Sequence, residues 1–178
     1  PPSPNLSFGN TIHETLREFH DTLRFGDVSL EKLLEIYERN WEPLGYDSEE
    51  HRQERFESGK EILKKYFENL DKSVKTLEVE KTFTLEIDEI KLKGRIDRID
   101  ELENGVEIID YKTGQQKDQN DVNQDKQMTI YALGAREALK LNPVKLTMYF
   151  VEGGQKISTT KTENDVNKIK GEVKETIS

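Results

Sequence analysis

At 178 residues the chain is long enough for one domain with a proper core and too short for two comfortable ones. Apolar residues make up 33% and charged residues 35%, which predicts a compact fold with a heavily solvated surface, and six Tyr, seven Phe and many β-branched residues argue against disorder. The absence of Cys excludes disulfides, thiolate zinc sites and iron–sulfur clusters together, and a formal net charge of −9 is unfavourable for gripping nucleic acid unaided.

No apolar run approaches the length of a membrane span, and no secretory signal pattern is present. The opening Pro1-Pro2-Ser3-Pro4, without an initiator Met, reads as the start of an excised domain or a processed product. Ile12, Leu16, Phe19 and Leu23 recur at helical spacing and predict a helix over Asn10–Arg24. Gly26 and Asp27 break it, and Ser29 is an N-cap for a second helix over Leu30–Asn40. A loop around Pro43-Leu44-Gly45 leads to a longer helix near Ser48–Leu70, whose apolar stripe is Phe56, Ile62, Leu63, Tyr66 and Phe67.

Strand character begins at Val74–Ile87, where Val79, Phe83, Leu85 and Ile87 alternate with polar residues. Asp88-Glu89 turns the chain into a central hairpin, Lys91–Asp100 against Val106–Thr113. The polar stretch Gly114–Gln124 reads as a mobile loop, and Asp125–Leu141 as a helix ended by Pro143. Val144–Val151 and Lys156–Lys161 form two further strands about a Gly153-Gly154 turn. A Lys/Glu-rich helix, Asn164–Ile177, closes the chain with a narrow apolar stripe of Val166, Ile169, Val173 and Ile177. This order predicts an α/β fold: a mixed central sheet flanked by helices, with an N-terminal helical segment. The chain reads as a single domain, with 1–73 mainly helical, 74–161 the sheet with one crossing helix, and 162–178 the last helix.

The central hairpin carries the chemistry. Asn104-Gly105 is the strongest short-range signal for a two-residue turn with φ > 0 at both positions. Counting back from it sets Ile99 opposite Asp110 and Asp97 opposite Lys112, so that the two aspartates are diagonal neighbours on one face with Lys112. Two carboxylates so close repel unless a cation lies between them. Hard oxygen donors favour Mg²⁺ or Mn²⁺, which lower the pKa of a water and neutralise phosphate charge. An ammonium on the same face can orient the attacking water or stabilise a pentacovalent phosphorus. Taken alone, Asp110-Tyr111-Lys112 also reads as a solvated strand end.

Four motifs occur in one order: Gly9-Asn10-Thr11-Ile12-His13, Gly94-Arg95-Ile96-Asp97, Asp110-Tyr111-Lys112-Thr113-Gly114 and Gln127-Met128-Thr129-Ile130-Tyr131. Over about residues 8 to 151 the sequence thereby resembles the PD-(D/E)XK nuclease superfamily, and within it the RecB-like nuclease domain. The resemblance implies a restriction-endonuclease-like core, with Asp97 and Asp110 as ligands of Mg²⁺ or Mn²⁺ and Lys112 as the catalytic lysine. It adds His13 and the backbone carbonyl of Tyr111 to the metal ligands. Gln127 and Tyr131, four apart on one helix face, would meet the active site and the DNA backbone. Glu80, on the strand before the hairpin, matches a family glutamate more loosely, its alternative being an exposed strand residue. The cysteine-ligated iron–sulfur subgroup is excluded by composition.

What the resemblance implies is a metal-dependent deoxyribonuclease that trims DNA ends with a fused or associated ATP-dependent helicase, in repair or recombination. Such a protein would work inside the cell, at the nucleoid, with no membrane partner. A partner that supplies affinity answers the objection raised by the net charge. Two alternatives stand beside it: a catalytically silent nuclease fold that guides DNA or docks a protein, and a structure-specific endonuclease.

Overall fold

The computed structural model describes residues 1–177. The chain divides into two compact units, each gathered from several segments. The first comprises residues 1–75, 111–116 and 149–155; the second comprises 76–110, 117–148 and 156–178.

The first unit is built on three helices: α1 (Pro4–Leu23), α2 (Leu30–Asn40) and α3 (Glu49–Glu68). Each begins on a serine whose side chain accepts a backbone N–H of the first turn: Ser3 from Leu6, Ser29 from Lys32, Ser48 from His51. The Ser3 cap, with Pro4 in the first turn, starts α1 six residues before the expected Asn10. Phe8, Ile12, Leu16 and Phe19 of α1 are fully buried, as are Leu33, Ile36 and Tyr37 of α2 and Leu63 of α3. Here the 3.6-residue period of the sequence and the observed core coincide.

The second unit holds most of a five-stranded sheet in the order β1-β2-β3-β4-β5, with β1 Thr76–Ile87, β2 Ile90–Leu102, β3 Gly105–Lys112, β4 Pro143–Phe150 and β5 Gln155–Thr159. The pairs β1–β2 and β2–β3 are antiparallel. Val106 N–H donates to Asn142 O at 2.8 Å where β3 begins, and Val151 N–H to Lys112 O at 3.1 Å where it ends. Those two bonds advance together along both segments, so β3 and β4 run parallel and the sheet is mixed. The segment between them crosses through α4 (Gln119–Asn123) and α5 (Lys126–Leu133), and the chain ends in α6 (Glu163–Ile177). The side chain of Ile177, expected on the apolar stripe of α6, lies outside the described residues, as does Ser178.

Three expectations are corrected. The hairpin turn is Glu103-Asn104, not Asn104-Gly105: Leu102 pairs with Gly105, and Glu101 with Val106. Gly105 is the first residue of β3, and a Cβ there would lie 2.2 Å from Asn142 O. The close approach of β4, rather than a positive-φ turn, thus explains this glycine. The stretch 114–124 is not all loop, because α4 forms within it, started by a capping box in which Asp121 N–H donates to Asp118 Oδ1 at 2.8 Å. The helix after Asp125 does not run unbroken to Leu141. It turns π-helical over Gly134–Ala138.

The π turn starts where the helix meets Phe83. A Cβ on Gly134 would lie 2.5 Å from that ring, and a Cβ on Gly94 would lie 2.4 Å from it. Phe83 is therefore seated between two glycines, one from β2 and one from the crossing helix, and is 4% exposed.

Candidate active site

In the second unit, β2 and β3 bring two aspartates to matching positions. Arg98 pairs with Ile109, and one step further along both strands stand Asp97 and Asp110. The observed register differs by two residues from the expected one, which turns diagonal neighbours into opposed ones. A shift of two preserves the alternation, so Asp97 and Asp110 keep the shared face. Asp110 is buried, only 3% exposed, and Asp97 is half-buried.

Tyr131 of α5 lies in the field of both carboxylates. Burial pushes its phenol well above the ordinary tyrosine range, and Asp110, Asp97 and Asp125 push it further, in that order, while Arg95 opposes them. Gln127, one turn earlier on the same helix, donates from Nε2 to Tyr131 Oη at 2.9 Å. Asp125 caps α5 by accepting Met128 N–H at 3.0 Å, which fixes where that pair begins. The Phe83 ring meets the Tyr131 ring edge-on at 6.4 Å between centroids. The glycine of Gly94-Arg95-Ile96-Asp97 admits Phe83 to this place.

Glu80 occupies the β1 position between Val79, paired with Arg98, and Lys81, paired with Ile96, hence opposite Asp97. Its backbone takes φ +50°, uncommon for a residue with a side chain, and its carboxylate pairs with Arg95 at 2.8 Å. In the sequence Arg95 stands out only as part of a motif. Two residues from Asp97 on one strand face, it answers both Glu80 and the tyrosine, and alternation along β2 is the signal that could have found it.

In the first unit, Tyr111 is buried and Lys112 half-buried. The His13 ring of α1 stands edge-on to Tyr111, 6.2 Å between centroids. His20, seven residues on along the same helix, stacks near the same ring at 6.5 Å. Beyond Lys112, Gly114 N–H donates to the Glu152 carboxylate, which Arg55 pairs at 3.0 Å.

Among the described residues no group of three or more His, Asp and Glu stands close enough to hold a metal ion. The donors that fit a divalent ion are the two opposed carboxylates, one of them buried. An ion accepting few protein ligands and retaining waters, as Mg²⁺ and Mn²⁺ do, suits such a pair.

A mixed sheet flanked by helices, with an acidic pair on adjoining central strands, defines a restriction-endonuclease-like α/β fold. The chain belongs to the PD-(D/E)XK nuclease superfamily, whose pattern it matches over residues 1–178. No curated protein matches it significantly. Among the described residues no helix is long and apolar enough to cross a membrane.

Proposed function

We propose that this chain is a divalent-metal-dependent deoxyribonuclease of the RecB-like branch, an exonuclease that hydrolyses DNA phosphodiester bonds beside an ATP-dependent helicase in repair or recombination. The observation that carries the reading is that β2 and β3, paired as far as Arg98 and Ile109, place Asp97 and Asp110 at the next step of both strands, with the Tyr131 phenol in the field of both. Asp97 and Asp110 would hold Mg²⁺ or Mn²⁺; His13 and the Tyr111 carbonyl are further ligands only by the family resemblance. Bound there, the ion supplies neutralisation of phosphate charge and activation of a water.

Lys112 presents its ammonium on the face of β3 that carries Asp110, where it orients the water and offsets charge growing on the phosphate oxygens. Tyr131 is protonated at neutral pH like any tyrosine, and burial and the carboxylates keep it so well into the alkaline range. Accepting from Gln127, it keeps its own O–H to donate toward a phosphate oxygen, and Gln127 steadies it. Arg95 balances the acidic cluster near the bound strand. The net charge of −9 leaves affinity to the partner, so the isolated chain would cut weakly and with steep salt dependence.

The test is cleavage of end-labelled single- and double-stranded linear DNA and of a closed circle, with Mg²⁺, Mn²⁺ or EDTA, beside an Asp110→Ala control. Metal-dependent products that vanish in the control support a nuclease, and a spared circle supports end dependence. Folded protein that cuts nothing in either metal, with or without a helicase, favours the silent module.

A further inference from the structure

Tyr111 separates Asp110 from Lys112, and its side chain leaves β3 on the face opposite theirs. Its hydroxyl lies 3.0 Å from Tyr66 Oη of α3, which lies 2.6 Å from His20 Nε2 of α1. All three residues are 3% exposed, so these groups satisfy one another rather than water. The hydrogens can run either way along the chain. If His20 Nε2 accepts from Tyr66, then Tyr66 accepts from Tyr111; in the other tautomer both bonds reverse.

The Tyr111 ring is also enclosed on its flanks. His13 stands edge-on, His20 stacks, and Tyr149 tilts against it at 6.2 Å. One residue on, Val151 N–H holds the carbonyl of Lys112 at 3.1 Å. The strand is thus gripped through a rigid phenol before Lys112 and through a ladder bond at Lys112.

We propose that His20 and Tyr66 are positioning residues that hold Tyr111 from behind the strand and so set the direction in which Lys112 leaves it. The inference rests on Lys112 being the catalytic lysine of the proposed nuclease. A phenol has two side-chain torsions, and here both its ring and its tip are held. Rotating the backbone at Tyr111 breaks the hydroxyl chain, and any such rotation is magnified at the end of the long lysine side chain. Simple core packing predicts otherwise: phenylalanine would fill the Tyr66 site, and only stability would change.

The experiment is Tyr66→Phe in the full chain, read by melting temperature, by kcat and KM on linear DNA with Mg²⁺, and by the NMR signal of the Lys112 side chain, assigned through its loss in Lys112→Arg. The expected result is a folded variant with kcat lowered about tenfold, KM within about twofold, and a displaced Lys112 signal. A folded Tyr66→Phe with unchanged kcat and an unmoved Lys112 signal overturns the proposal, whatever happens to the melting temperature. A displaced signal in a protein whose wild type cuts nothing, with or without a helicase, overturns the nuclease reading and leaves the positioning role standing. Tyr111→Phe, which removes only the terminal hydroxyl, carries the same readings where Tyr66→Phe does not fold.

Discussion

Arg98 and Asp100 form an ion pair inside the sheet. Two residues apart on β2 and so on one face, they meet with Nη2 and Oδ2 at 3.0 Å, and their side chains are 8% and 2% exposed. Thr76 Oγ1 donates to the same aspartate at 2.8 Å. Removing one partner strands a buried charge. Asp100→Ala is expected to cost about 3–5 kcal/mol, read as a lowered urea midpoint. The double replacement Arg98→Met with Asp100→Leu should recover most of that loss, because an apolar pair needs no counter-charge.

Phe83 seated between Gly94 and Gly134 predicts an overpacking effect. Gly134→Ala forces a methyl into the ring and should cost about 1–3 kcal/mol. The added change Phe83→Leu opens space at that spot and should make the alanine nearly neutral. Equal losses in the two backgrounds would show that the contact is not the cause. Thermal unfolding of the four proteins measures the coupling.

The opposed aspartates predict a metal-linked stability. Mg²⁺ or Mn²⁺ should raise the melting temperature of the wild type and leave Asp110→Ala unmoved, since an ion that binds only the native state stabilises it. Asp110→Ala and Lys112→Ala should each lower cleavage about a hundredfold or more with the fold intact. Without metal, Asp97→Ala should stabilise by about 1 kcal/mol, because it relieves repulsion between opposed carboxylates. Calorimetry with and without EDTA reads both effects.

Tyr131 predicts an alkaline limit. Its folded pKa lies above the ordinary value of 10.0, chiefly through burial and then through Asp110 and Asp97. Above that ordinary value the unfolded chain gives up the proton while the folded one keeps it, so the native state binds more protons there. Its contribution is full below about pH 10 and is lost as the pH rises further. Stability should therefore fall with pH above about 10, and Tyr131→Phe should flatten that slope. Titration of the ultraviolet phenolate band should show one late-ionising tyrosine fewer in the variant.

Much of the architecture was legible because it is local. Ser29 and Ser48 announce helix starts through their own side chains, and the alternation of Phe83, Leu85 and Ile87 marks β1 without reference to its neighbours. The shared face of Asp97 and Asp110 was legible for a related reason: side chains alternate with a period of two, and moving the turn by one residue shifts the pairing by two. The motifs located the acidic pair, the lysine and the Gln127–Tyr131 helix face as expectations.

What the sequence determined by itself was therefore element type, cap position and face, each set within a few residues by backbone sterics and apolar period. Only the tertiary structure decided which hairpin pairing formed, because the approach of Asn142 to Gly105 and the bond from Val106 N–H outweigh the turn preference of Asn104-Gly105. It also decided where the crossing helix turns π-helical, beside the ring of Phe83. And it alone paired His20 with Tyr66: a histidine carries no local signal of its partner, and that hydrogen bond joins residues 46 positions apart that meet only through packing.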